Sequence, residues 1–123
     1  MAVSEFHVAH KALETRTVTA AGTITVSRCV GYDSLATTQA AARPWGIAIF
    51  DGIIGDRVTI VTEGSAVAEA GAAITIGQPL ATDAQGRLIP ATVGQFVFAR
   101  ALGAVSGAGK YFEAHITREG ALS

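Results

Sequence analysis

The chain has 123 residues, ten acidic and nine basic side chains, a formal net charge of −1 and one cysteine. That length makes one domain with room for a core. The interspersed charges lack the basic footprint of phosphate-backbone binding, and the lone Cys29 excludes an internal disulfide.

Half of the residues are apolar, yet only 7% are aromatic and 15% charged. Much of the apolar share is alanine, which buries little area per residue. A thin core under a weakly charged surface points to a subunit that completes its burial against a neighbour. A monomer with a small-residue core is the alternative. No stretch approaches the ~20 apolar residues of a membrane helix. The N-terminus lacks the apolar run and cleavage site of a secretory signal, so the expectation is a soluble protein made in a cytoplasm.

In chain order, residues 1–16 (MAVSEFHVAHKALETR) differ from the rest by their histidines and mixed charges. Val3, Phe6, His10 and Leu13 fit one helical face, and Phe6, Val8 and His10 fit an alternating strand equally well. The segment reads as an N-terminal arm that orders on docking. Thr17–Tyr32 reads as two strands with Ala21-Gly22 as the turn, the second carrying Ile24, Val26 and Val30. Cys29 is expected as a buried small hydrophobe, with Arg28 on the opposite face. Asp33–Arg43 is either a short helix capped by Asp33 or Ser34 and stopped by Pro44, or a long loop. Trp45 is either a core plug or an anchor at a subunit seam.

From Gly46 to Pro90, short β-branched runs alternate with glycine and aspartate turns, the signature of a sandwich or barrel. Ile47, Ile49 and Ile53 open the stretch, and Asp51-Gly52 and Gly55-Asp56, flanking a pair of isoleucines, can each turn it. Val58, Ile60 and Val61 follow, with Gly64 closing that strand. Ala72–Ile76 makes a further run between Gly71 and Gly77. Asp83–Arg87 reads as a hairpin turn, with Asp83 as an Asx-turn former and Gly86 in the left-handed position. Phe96–Leu102 and Lys110–Arg118 are the last strands. In the latter, Phe112, Ala114 and Ile116 face inward, and His115 faces solvent. The fold expected is therefore mainly β: a small sandwich or barrel-like domain over residues 17–118, with at most one short helix, an arm at 1–16 and a tail at 119–123.

Chemistry is hard to find. Ser34, His115 and Asp51 make a triad only on paper, with no nucleophile elbow to support it. His7 and His10 are spaced for a metal, but His115 is the one further histidine and is distant in sequence. Lys110 beside a Gly-rich turn is a weak carrier-lysine candidate, because Tyr111-Phe112 makes it a strand opener. Neither a phosphate loop nor a dinucleotide fingerprint is present. The expectation is no catalytic, metal or cofactor site.

The succession GTITVSRCVGYD, then PWGIAIFDGIIGDRVTIVTEGSAVAEAGAAITIGQPLATDAQGRLIPA, then FARALGAVSGAGKYFEAHITR resembles the capsid cement (head decoration) proteins of tailed bacteriophages. The resemblance rests on Gly55-Asp56, Glu63-Gly64, Asp83-Ala84-Gln85-Gly86-Arg87 and Pro90-Ala91, and it covers roughly residues 17–118. It implies a non-enzymatic homotrimer on the outside of an expanded virion head, bound to the major capsid protein and holding the shell against DNA pressure, without direct nucleic-acid or membrane contact. On that reading Phe6 and Val8 are candidate capsid contacts and Trp45 a candidate seam residue. A spike or tail subunit, or a small ligand-binding barrel, is the alternative.

Overall fold

The computed structural model describes residues 12–34 and 43–123. The possible helix over 34–42 falls almost wholly outside them, as do Phe6, Val8, His7 and His10. Eight strands are present: β1 (Ala12–Thr19), β2 (Cys29–Val30), β3 (Gly46–Ala48), β4 (Arg57–Glu69), β5 (Pro79–Thr82), β6 (Leu88–Pro90), β7 (Phe96–Ala101) and β8 (Tyr111–Ala121). No helix occurs among the described residues. The strands form one sheet in the order β2-β3-β4-β8-β7-β5-β6, with β1 paired separately to β4. Every strand ladder is antiparallel. Of the two β arrangements the sequence allows, the barrel-like one forms: a single sheet curled into a half-barrel.

The curl follows from what lines it. Ala66 and Ala68 on β4, Ala114 on β8, and Ala99 and Ala101 on β7 all lie in the main core cluster. Strands can bend tightly toward one another only where the inner side chains are small. Phe98, the largest fully buried side chain, fills the interior together with Leu80, Leu88 and Ile74. The far ends of the sheet then meet. Cys29 N–H donates to the Gly86 carbonyl at 2.8 Å, and Gly71 N–H donates to Leu88 O at 2.8 Å. Gly86 has φ +80°, and a β-carbon there would stand 3.2 Å from the Cys29 carbonyl. The turn therefore needs glycine twice over, for its backbone angle and for close approach.

A second cluster lies on the other face of β3 and β4. Ala48, Val58 and Ile60 pack there with Val18, Ile24 and Val30, and Trp45 covers part of it. Burial on both faces explains why GIAI and VTIV read as nearly continuous apolar runs.

Several boundaries differ from the sequence reading. β1 begins at Ala12, pairing Ala12 with Gly64 and Thr19 with Arg57, so residues 12–16 of the expected arm belong to the sheet, and the rest of it lies outside the described residues. The second strand expected before Tyr32 reduces to a bridge, Ile24 with Gly52, and the two residues of β2. Ser27 at φ +67° and the Arg28 N–H to Thr25 O bond turn the chain between them. Gly64 does not end a strand. It sits inside β4 at φ +95°, where the strand passes from its pairing with β1 to its pairing with β8. Ala72–Ile76 contributes one bridge, Ile74 with Val105. The supposed tail is mostly strand, since β8 runs to Ala121.

Two arginines tie the sheet together. Arg118, itself at φ +49°, donates to the carbonyls of Pro44 (2.8 Å), Trp45 and Thr62 (3.0 Å), and its guanidinium lies 5.2 Å from the Phe98 ring centroid. One planar cation thus fastens the approach to β3 onto β4 and β8. Hydrogen bonds to a charged donor are worth roughly 1.5–3 kcal/mol each way of counting, so Arg118→Met is expected to cost about 2–3 kcal/mol in urea unfolding. Arg118→Lys should recover little, because a point charge cannot span the three acceptors. A lysine variant as stable as wild type would contradict this account.

Arg100 on β7 grips both Glu119 oxygens on β8, at 2.7 and 2.8 Å, and reaches the Gly77 carbonyl at 3.1 Å. Hydrogen bonding from Arg100 lowers the Glu119 carboxyl from 4.5 to about 2. The folded value lies below the unfolded one, so the pair stabilises the fold above about pH 5. That contribution disappears as the pH falls through the folded value of about 2. The pair is open to solvent, so its contribution is modest. Acid titration of stability is expected to be steeper for wild type than for Glu119→Gln between about pH 5 and the folded value. Parallel profiles would show that the pair contributes nothing.

Candidate functional site

The residues considered for chemistry do not assemble. Asp51 lines an open depression with Thr23, Thr25 and Asp56, whereas His115 lines another with Leu13, Thr62 and Arg118. In the second depression the Arg118 guanidinium is committed to backbone carbonyls. Among the described residues, no three His, Cys, Asp or Glu side chains are grouped to hold a metal. Lys110 is exposed and immediately precedes β8, and its carbonyl accepts the Ala70 N–H at 2.8 Å. Cys29 is buried, and that burial pushes its thiol far above its usual range. The thiolate needed for nucleophilic or metal chemistry is disfavoured there.

Polar side chains instead fix the closure of the sheet. Asp83 Oδ1 accepts the N–H groups of Gln85 and Arg87, both at 2.9 Å, and Oδ2 pairs with Arg87 Nε at 2.9 Å. This hairpin tip is what presents Gly86 to Cys29. Beside it, Arg28 Nε binds Glu69 at 3.0 Å across the same seam. The hydrogen bond that Arg28 donates to Glu69 raises the arginine's pKa further.

Trp45 is partly buried against the second core cluster. Tyr32 stacks on it with centroids 5.4 Å apart and planes at 18°, and the Arg16 guanidinium lies 5.8 Å from its ring. Tyr32 itself is exposed.

The feature that the sequence reading missed is the connection from β3 to β4. The sequence reading places turns at Asp51-Gly52 and Gly55-Asp56, but it counts Ile53 with the short β runs and does not foresee its exposure. Ile53 opens instead the tight turn Ile53–Asp56, and Phe50, Ile53 and Ile54 are 59%, 63% and 72% exposed. The turn is rigidly held. Asp56 N–H donates to Ile53 O at 2.9 Å, Asp56 Oδ2 accepts Ile53 N–H at 3.0 Å, and Gly55 supplies φ +92°. Ile24 and Gly52 exchange both backbone bonds, at 2.8 and 2.9 Å, and Asp51 Oδ1 accepts Val26 N–H at 2.8 Å. A turn normally carries polar residues at its tip, so two adjacent isoleucines between Asp-Gly and Gly-Asp were the available signal. Next to this tip lies a depression of about 200 Å³ lined by Val26, Ser27, Ala48, Ile49 and Val67. The arrangement suits docking to another macromolecule: a preorganised apolar projection loses little entropy on binding.

Comparison with known proteins agrees with that character. A family model described as phage cement protein matches residues 8–116. The chain has no significant match among curated proteins. Its fold is similar to that of the head fiber gp8.5 N base of bacteriophage phi29, with a TM-score of 0.71 over 89% of this chain and 98% of that one. At 21% identity this is a likeness of fold. With the family match spanning nearly all of the curled sheet, from the segment before β1 into β8, the chain belongs to the phage cement protein family and is a structural protein of a phage particle.

Proposed function

We propose that the protein is a capsid cement protein that binds the outer surface of the expanded phage head and stabilises it against the pressure of packaged DNA. The family match over residues 8–116 carries this reading. The partner is the major capsid protein, and the bound unit is a homotrimer acting without catalysis or cofactor. A site where several shell subunits meet can be engaged by three copies of one weak contact, whose effective concentration multiplies them into a strong attachment. A fold fixed by closure of its sheet and by side-chain clamps at β7, β8 and the Asp83 turn suits a part that must resist load without rearranging.

Residues 1–11 precede an edge strand and serve as an arm that orders on the shell, at an entropic cost repaid by a longer footprint. Phe6 and Val8 are its proposed apolar contacts. Trp45, with Tyr32 exposed beside it, is proposed to border the subunit seam. A second reading, that the chain is the base of a larger projection on the head, is favoured by the fold likeness to a head fiber base.

Co-sedimentation separates these possibilities. The purified protein is expected to pellet with expanded heads and not with immature ones, and to raise the temperature at which heads rupture. Deleting residues 1–11 should weaken occupancy severalfold while leaving the circular dichroism melt unchanged. Failure to bind expanded heads would defeat the cement reading. Binding that leaves head stability unchanged would favour the projection-base reading.

A further inference from the structure

We propose that the β3–β4 connection is a contact with the shell, its Phe50, Ile53 and Ile54 side chains entering an apolar recess of the major capsid protein whose rim carries cations or free N–H groups. The contact rests on the cement reading above and adds to it the surface that binds.

Large apolar side chains exposed singly are ordinary on a protein surface. Ile76 and Val93 are of that kind, 71% and 79% exposed, with no other large exposed apolar residue within five positions of either. The β3–β4 connection differs, because three such residues fall within positions 50–54. Its tip stands clear of the rest of the fold: a β-carbon added at Gly55 would meet nothing within 4 Å. Its base is fixed by the paired backbone bonds of Ile24 with Gly52 and by Asp51 on Val26 N–H, so docking costs little entropy.

Area favours a repeated partner over a solitary one. At these exposures the three side chains offer roughly 300 Å² of apolar surface, against ~800 Å² per partner in a standard interface. Such a contact is too small for a stable dimer. On a shell it recurs in every copy of a symmetric attachment, and effective concentration multiplies it.

Charge sets the chemistry of the recess. Asp51 Oδ1 accepts Val26 N–H at 2.8 Å and Asp56 Oδ2 accepts Ile53 N–H at 3.0 Å. Two carboxylates beside the isoleucines need further donors when water leaves, and a wholly apolar socket would strand them. The tip is also separate from the arm. Thr19 pairs with Arg57 next to the tip, whereas residues 1–11 join the sheet at Ala12, at the far end of the eight-residue β1. The two attachment points are about 25 Å apart, so each can be removed without the other.

The test uses expanded heads that lack the protein. Ile54→Asp is expected to lower occupancy about tenfold or more in co-sedimentation. Ile76→Asp makes the same change at a side chain of matching exposure and is expected to bind like wild type. Thermal melts matching wild type serve as the folding control for both. Equal losses in the two variants would overturn the proposal. So would an Ile54→Asp variant that binds like wild type, an outcome that spares the cement reading. Wild type that fails to bind expanded heads would defeat that reading and this contact together. Cross-linking then reads the partner. Cys29 is buried and its thiol is held protonated, so a photoreactive label goes to an introduced cysteine. Labelled Ile54→Cys is expected to give adducts with the major capsid protein on heads. Adducts only with a second copy of this chain would overturn the proposal.

Discussion

Everything in this molecule depends on one sheet bending far enough for its two ends to touch. The bond from Cys29 N–H to Gly86 O, with Gly71 and Leu88 beside it, ties β2 to the β5–β6 turn at the opposite end of the sheet order. That closure is possible because β4, β7 and β8 turn alanines inward at their tightest packing. It is held because the Asp83 turn and the Arg28–Glu69 pair supply polar partners at the seam. The apparent weakness of the composition, a core short of large side chains, is thus the condition for the curvature. Bulky residues are reserved for the middle of the curl, where Phe98 and the leucines sit.

Closure leaves polar ends to be dealt with, and charged side chains do so by reaching backbone carbonyls as well as carboxylates. Arg118 is the main case: three acceptors from two separate stretches converge on one guanidinium above an aromatic ring. Arg100 does the same on a smaller scale by adding the Gly77 carbonyl to its carboxylate pair. These clamps sit where β8 and its neighbours would otherwise fray. Apolar surface is offered outward at the β3–β4 connection, and also at Ile76 and Val93.

The β class and the barrel-like architecture were legible in the sequence because period-two patterns and turn residues are local signals. A turn such as Asp83–Arg87 is readable for the same reason: its bonds run from a side chain to its own backbone neighbours. What could not be read were decisions made between distant segments. Gly64 has the same sequence context as a strand end, yet pairing with β1 before it and β8 after it carries β4 straight through. Leu13, Glu14 and Arg16 looked like part of a polar arm because an edge strand with one buried residue in eight shows almost no alternation. Asp51-Gly52 and Gly55-Asp56 were legible as turns, but Ile53 read with the β runs because β-branched residues favour strands; the bonds of Gly52 with Ile24 and of Asp51 with Val26, which fix the loop from outside, come from a distant stretch. The family resemblance was legible from the order of turns, and the match over residues 8–116 upholds it.

The position of β8 has a consequence for how the protein folds. The strand nearest the C-terminus lies in the interior of the sheet, flanked by β4 on one side and β7 on the other. Until Tyr111–Ala121 is in place, β4 and β7 lack the strand between them and the alanine-lined interior stays open to water. The pairing that closes the sheet is thus one between segments far apart in sequence, which makes for slow, late consolidation of the core.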